Sequence, residues 1–490
     1  MSSEEILLTQ PAYRADQLGE QLPDSIHAVS VALPCWQDVV DYEEKSERVS
    51  QRLTTGYPRF VVHPHVAELA GRITKGRIPS LPFPSERVAA ECAEFVHRRS
   101  GAAAEVVSAR GLYAVTTTPN GERALRDFWQ HTGLIVSSRQ ADSLLTGQST
   151  RSDTAELMGS LRRQIAGLYD CEEGDVFLAP TGMAAQFAAL QAVQRRRPGQ
   201  ATAQLGFPYV DTFKLQEKFG AGGILLHDLE HIERELTQLL EQKKELAACF
   251  CEIPGNPLLG SADLRRISPV LRQHRIPLVA DDVVATPYNI DLNGHADLIA
   301  TSLTKFIAGS GDVMGGALIC NPRSPLYGEL KPLIAQEHEE LLWWEDAEIL
   351  DRQTRQFPDR MKRHNRNGLF IAERLRKHPA VERVWYPKWE FSGAYNAVRR
   401  PRRGWGALIT FLPKNAPTMG PIVYNRLQVC KGPSLGTIFT LACPFTLLAH
   451  YTELPWAEAC GVSRHLIRVS IGLEDPEELW TRFDLALTGI

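Results

Sequence analysis

Short apolar runs alternate, through the middle of the chain, with longer stretches whose apolar positions recur every three or four residues. DVFLAP, ACFCEI and IPLVADD end at turn residues and are too brief for buried helices, so they predict strands covered on both faces. Between them IERELTQLLEQKKELA keeps its Ile and Leu positions on one helical face and its charges on the other. This alternation over residues 156–362 predicts a mostly parallel sheet sheathed by helices, the large domain of an α/β protein. Residues 1–155 form an extended amino-terminal region, punctuated at RIPSLPFPSERV, with a helix through AAECAEFVHRR. That region is expected to carry a small subdomain and an arm for subunit contact. Residues 363–490 predict a smaller α/β domain, with GALITFLP and LIRVSIGL as strands and DPEELWTRFDLAL as a closing helix. No internal repeat or low-complexity tract interrupts this order.

Composition narrows the class. With 490 residues, 43% of them hydrophobic, the chain can bury large cores and supports two or three domains. A net charge of −4 gives no reason to expect binding to nucleic acid or an anionic membrane. Nine cysteines are scattered without a CxxC pair, which suits a reducing, cytoplasmic setting. Cys249 and Cys251 are two apart on an apolar strand and should share a face, but two thiols do not make a metal site. MSSEEILLTQPAYRADQLGE has neither the basic segment nor the long apolar core of a secretion signal, and no stretch approaches a bilayer span.

The candidate chemistry centres on Ser302-Leu-Thr304-Lys305, followed by a glycine-rich turn ending at Gly316. A lysine beside two hydroxyls can form a Schiff base with the aldehyde of pyridoxal 5'-phosphate, with Ser302 and Thr304, at strand spacing, bonding the phosphate. Alone, the stretch also fits an exposed loop lysine among turn residues. Upstream, IPLVADDVVATP ends a strand in Asp281 and Asp282. Either carboxylate could reach a pyridine nitrogen, or both could cap the following turn. GDVFLAPTGMAAQFAALQAV predicts a strand, a turn at Thr181-Gly182-Met183 and a helix whose first amides suit an anion. The chain lacks the GxGxxG and GxxxxGK[ST] forms of dinucleotide and nucleoside-triphosphate sites.

The order TGMAA, FPYVDTF, EIPGNP, ADDVVATP, SLTK, SLG and IRVSIGLED resembles the cystathionine gamma-synthase family of pyridoxal-phosphate enzymes, also called the Cys/Met metabolism family. That family's signatures are SGMAA, YGGT, ESPxNP, DNTxATP, SxTK, SLG and RxSxGxE, and each has a counterpart here in the same order. HAVSVALPCWQDVVDYEE, TTGYPRFVVHPHV, DFWQHTG and WWEDAEILDRQTRQFPDR are similar to the longer fungal-type members. The resemblance implies the aspartate-aminotransferase-like, fold-type I architecture and a homodimer or homotetramer. It further implies γ-replacement on an O-acyl-L-homoserine, with L-cysteine giving L-cystathionine, a transsulfuration step of methionine biosynthesis. Sulfide, an amine, a carbon nucleophile, γ-elimination, transamination or a non-catalytic relic stay open beside it.

Carried over residue by residue, Lys305 would hold the cofactor and shuttle protons, and Tyr209 would stack on its ring and assist proton transfer. Thr181, Gly182, Met183, Ser302 and Thr304 would hold the phosphate, Asn256 would lie near the ring oxygen, and Asp281 would pair the ring nitrogen in preference to Asp282. Arg468, helped by Ser434, would clamp the substrate carboxylate, although alternation in LIRVSIGL also fits a surface arginine. The family draws a YSR tyrosine and arginine from the neighbouring subunit to the cofactor phosphate; the counterpart taken here is VSSRQAD, which makes Arg139 a candidate phosphate ligand but puts Ser137 in the tyrosine's place. YGGT has become Tyr209-Val-Asp-Thr212, which brings an extra carboxylate, Asp211.

Overall fold

The computed structural model describes residues 2–109, 111–147, 153–242 and 244–489. Three sheets organise them. The amino-terminal sheet holds β1 (Ser80–Phe83), β2 (Ala104–Ala109) and β3 (Leu112–Thr117) in the antiparallel order β1-β3-β2. Helices Pro64–Thr74, Glu86–Ser100 and Glu122–Thr132 cover it and close a core of their own around Val88, Phe95, Val115 and Phe128. Ser85 caps the second of these helices by accepting from the Val88 amide, and Gly101 ends it at φ +69°, a conformation that favours glycine.

The central sheet comprises β4 (Val176–Ala179), β5 (Ala201–Leu205), β6 (Gly223–Leu226), β7 (Leu246–Glu252), β8 (Leu278–Asp281), β9 (Leu298–Ser302) and β10 (Gly316–Cys320). Their order is β4-β10-β9-β8-β7-β5-β6, and only β10 runs antiparallel to its neighbours. All seven residues of β7 are buried, because helices cover both faces. Its alternate residues divide between two cores, Cys249 and Cys251 in one and Ala248 and Phe250 in the other, so the two thiols do share a face. The helix expected over IERELTQLLEQKKELA stops at Glu241, because Leu246 already pairs with Ala201 and Ala247 lies in strand β7; Lys243 lies outside the described residues.

Helix Trp344–Lys377 runs 34 residues, about 50 Å at 1.5 Å per residue, from the large domain into the small one. A boundary at 362 falls inside this helix. The small domain's sheet contains β11 (Val381–Trp385), β12 (Leu408–Pro413), β13 (Cys430–Lys431), β14 (Leu441–Cys443) and β15 (Ile467–Ser470), in the order β11-β12-β15-β14-β13. Its closing helix Pro476–Leu487 begins where Asp475 accepts from the Glu477 and Glu478 amides. The first residues of the chain are not a separate layer. Leu22 and Ala32 pack with Phe439 and Leu441, and the Leu33 amide donates to the Lys431 carbonyl.

Candidate active site

The parallel strands end on one edge of the central sheet, and the candidate residues follow those ends. Thr181 and Gly182 follow β4, Tyr209 follows β5, Asn256 follows β7, Asp281 and Ser302 are the last residues of β8 and β9, and Lys305 lies three beyond. Ligand sites of open α/β sheets form at this edge. Ser302, Lys305, Tyr209, Asp281 and Ser434 each keep partial exposure amid buried neighbours, which outlines a cleft.

Lys305 stands at its centre. Its Nζ donates to Ser434 Oγ at 2.8 Å and lies 4.4 Å from the centroid of the Tyr57 ring. Burial, with Arg468 and Arg59 nearby, lowers its pKa despite the opposing Tyr57, which favours the nucleophilic amine. Ser434 holds φ at +90°, and a Cβ on Gly436 would come 2.5 Å from the Phe306 amide nitrogen, so this loop presses directly on the lysine's backbone. Arg468 Nη2 donates to the Ser434 carbonyl at 2.7 Å and Nη1 to Asn256 Oδ1 at 3.2 Å, above the Phe445 ring. Arg468 is therefore a buried residue beside the lysine, not a surface arginine.

Glu252 joins two strand ends. It accepts from the backbone amides of Tyr209 and Asn256, and burial, reinforced by Asp281, pushes its carboxyl up to about 8. Asp281 accepts from Gln186 Nε2 at 3.0 Å and the Val283 amide at 2.9 Å. These donors are neutral, and burial raises the carboxyl to about 6. Asp282 points to the other side of the sheet, where Tyr169 donates to it at 3.0 Å; burial and Asp281 raise it to about 7. Of the two carboxylates, Asp281 is the one that faces helix Gly182–Arg196 and the cleft edge.

Thr181 caps that helix, accepting from the Ala184 amide at 3.0 Å while donating to the Gly133 carbonyl at 3.0 Å. The amides of Gly182 and Met183 have no intrahelical partners and carry the positive end of the helix dipole. A Cβ on Gly182 would lie 2.7 Å from Ser302 Cβ, and one on Gly316 would lie 2.2 Å from the Thr181 carbonyl oxygen. Both glycines thus let the helix start close against the strand ends. Thr304 differs from expectation. β9 stops at Ser302, so the two hydroxyls are not on one strand face, and Thr304 is buried with its Oγ1 accepting from the Gly315 amide at 3.1 Å. Arg139 donates to Asp346 at 2.7 Å and to the Asp312 carbonyl at 3.0 Å, and Ser137 also donates to Asp346.

Two residues of TTGYPRFVVHPHV, to which the sequence assigned no role, stand in the cleft. Arg59 Nη2 donates to the Tyr209 hydroxyl at 2.6 Å, its Nη1 pairs with Asp211, and Tyr57 lies between Lys305 and Arg59. Tyr-x-Arg in GYPRF was their signal, the spacing of the YSR signature. Together the cleft offers what pyridoxal 5'-phosphate needs. Lys305 could supply an amine for the aldehyde, Asp281 a carboxylate to complement a protonated ring nitrogen, and Gly182 and Met183 amides for a phosphate.

Comparison with known proteins agrees. The model for the Cys/Met metabolism PLP-dependent enzymes matches residues 150–488, and that for the amino-terminal domain of fungal trans-sulfuration enzymes matches residues 65–137. Cystathionine gamma-synthase of Neurospora crassa is 33% identical, over 96% of this chain and 98% of that protein. The L-2-amino-4-chloropent-4-enoate dechlorinase/desaturase of Streptantibioticus cattleyicolor is 32% identical over 96% of this chain and 97% of its own. Among solved structures, cystathionine gamma-synthase of Xanthomonas oryzae in complex with cystathionine superposes with a TM-score of 0.61 at 26% identity, covering 70% of this chain and 88% of that one. The chain belongs to the Cys/Met metabolism family of pyridoxal-phosphate-dependent enzymes, is cystathionine gamma-synthase-like, and carries the amino-terminal domain of the fungal trans-sulfuration enzymes.

Proposed function

We propose that this enzyme catalyses γ-replacement on an O-acyl-L-homoserine, with L-cysteine as nucleophile and L-cystathionine as product. The Cγ–O bond breaks and the acyl group departs as its carboxylate; the cysteine sulfur forms the new Cγ–S bond and gives up its proton. The observation that carries this reading is the direct chain from Lys305 through Ser434 to Arg468. It joins a movable base to a guanidinium that suits an amino-acid carboxylate.

Pyridoxal 5'-phosphate, when bound, supplies the electron sink that acidifies the substrate's carbons. The rest falls to the chain. Arg468 grips the carboxylate, with Asn256 holding the guanidinium's other arm. Lys305, its basicity lowered, takes the proton at Cα and then works at Cβ so that the γ substituent can leave. Ser434 steadies the amine, and Tyr209, its hydroxyl fixed by Arg59, would pack over the cofactor ring. Asp281 would pair the ring nitrogen of the bound cofactor, and Gly182, Met183 and Ser302 would hold its phosphate. A homodimer or homotetramer in the cytoplasm is the setting proposed for it. Among the described residues no helix is long and apolar enough to cross a membrane.

One observation supports a second reading, elimination or another nucleophile at the same site. Relatives of similar identity carry names for different reactions, a cystathionine gamma-synthase and a dechlorinase/desaturase. A product screen separates them. Purified, cofactor-loaded protein is given O-acetyl- or O-succinyl-L-homoserine with L-cysteine, with sulfide, and with no nucleophile. Cystathionine formed in preference to 2-oxobutanoate supports γ-replacement and identifies the ester. Release of 2-oxobutanoate alone supports elimination, and consumption of neither ester removes the proposal.

A further inference from the structure

Behind Tyr209 lies a line of buried charge. Arg59 spends Nη1 on Asp211 and on the Gln130 carbonyl at 2.7 Å, and Nη2 on the Tyr209 hydroxyl. Asp211, wholly buried, also accepts from Gln130 Nε2 at 3.0 Å, and its Oδ1 lies 3.1 Å from His131 Nδ1. Lys218 Nζ donates to His131 Nε2 at 3.1 Å and pairs with Asp127 at 2.9 Å. The imidazole thus sits between the Lys218 ammonium and the Asp211 carboxylate. The Arg59 side chain, also buried, is thereby held at both forks by partners from two distant segments of the chain. At the position of Asp211 the family signature YGGT carries glycine, which has no side chain to hold an arginine.

We infer that Asp211 and His131 are positioning residues, which act through Arg59 to fix the Tyr209 hydroxyl. The inference rests on the reading of Tyr209 as a residue over the cofactor ring. Asp211 and His131 touch neither substrate nor cofactor in this role. Their effect passes along one path, so removing Arg59 should abolish it. Electrostatics agree with a fixed arrangement. Burial pushes the Tyr209 hydroxyl upward, and Asp211 adds to it, whereas in Tyr57 the cations Lys305 and Arg59 outweigh burial and lower it.

The test uses full-length, cofactor-loaded Asp211→Asn, His131→Gln, Arg59→Met and the Asp211→Asn/Arg59→Met double variant. The readouts are visible circular dichroism of the bound cofactor, and kcat and KM for the ester. Asp211→Asn should weaken the dichroic band and lower kcat about tenfold with KM little changed. Arg59→Met should match it, and the double variant should be no worse than Arg59→Met. His131→Gln should move the same way by less, and it carries the test if Asp211→Asn does not fold. Losses that multiply in the double variant, or wild-type dichroism and kcat in Asp211→Asn or, failing that, His131→Gln, would overturn the inference. The dichroic readout needs no substrate, so it stands even where the assigned reaction fails.

Discussion

At the scale of single residues, the site turns on how a lysine, an arginine and an aspartate are housed. Borohydride reduction of the loaded enzyme should leave the pyridoxyl group on the peptide containing Lys305; peptide mapping that finds it elsewhere removes the lysine from its role. Arg468 makes two hydrogen bonds with separate guanidinium nitrogens, a fork that an ammonium cannot reproduce. Arg468→Lys should therefore cost substrate binding about 2 kcal/mol, read as a rise in KM of roughly 30-fold. Unchanged kinetics would return this arginine to a structural task. Asp281 gives a pH prediction on the apoprotein. Its folded pKa of about 6 lies above the ordinary 3.8, so between about pH 4 and 6 the folded state binds more protons than the unfolded one. Its contribution to stability then falls as pH rises through that window. Melting curves of the apoprotein and of Asp281→Asn should converge near pH 4 and separate by pH 7.5, with the Asn variant the more stable. A gap independent of pH would contradict the burial argument.

At the scale of elements, the strand ends do the assembling. Gly316 lies on β10 where any Cβ would meet the Thr181 carbonyl at 2.2 Å, and Thr181 caps the helix that starts at Gly182. Gly316→Ala should push this helix start outward, costing about 2 kcal/mol of stability and weakening cofactor binding, as checked by thermal melting and cofactor titration. Retained cofactor affinity would show that the helix start can shift freely. Much of this level was legible in the sequence. The short apolar runs became β4, β7 and β8, and the alanine-rich run after TGMAA became helix Gly182–Arg196, because burial on both faces writes a plain hydrophobic pattern. Thr304 was read as a strand residue because period-two spacing continues on paper past Ser302, where the chain instead turns to pair with Gly315. Tyr57 and Arg59 carry the Tyr-x-Arg spacing, but the partners that mark them as cleft residues, Lys305, Tyr209 and Asp211, lie 150 or more residues away. VSSR offers the nearer literal match to YSR, with Arg139 but Ser137 in the tyrosine's place.

At the scale of the whole molecule, the amino-terminal region is built into the enzyme rather than appended to it. Phe95 stacks on Phe219 with centroids 4.5 Å apart, Leu33 bonds the small domain, and Arg139 and Ser137 lock onto Asp346 in the long helix. Asp346 is buried, so Arg139→Ala should leave a carboxylate unpaired and destabilise the fold by about 3 kcal/mol. Cofactor affinity at permissive temperature should stay within about twofold, since the hydrogen bonds of Arg139 go to Asp346 and Asp312. Normal melting with lost cofactor affinity would instead give this arginine to the phosphate. The proposed γ-replacement requires Lys305 to move protons at both Cα and Cβ on the way to substitution at Cγ. Running the enzyme in deuterium oxide with the O-acyl ester and L-cysteine, and reading the homoserine-derived half of the product by NMR, tests it directly. Deuterium at both Cα and Cβ is the predicted result. Deuterium at Cα alone, or an unlabelled product, would contradict it.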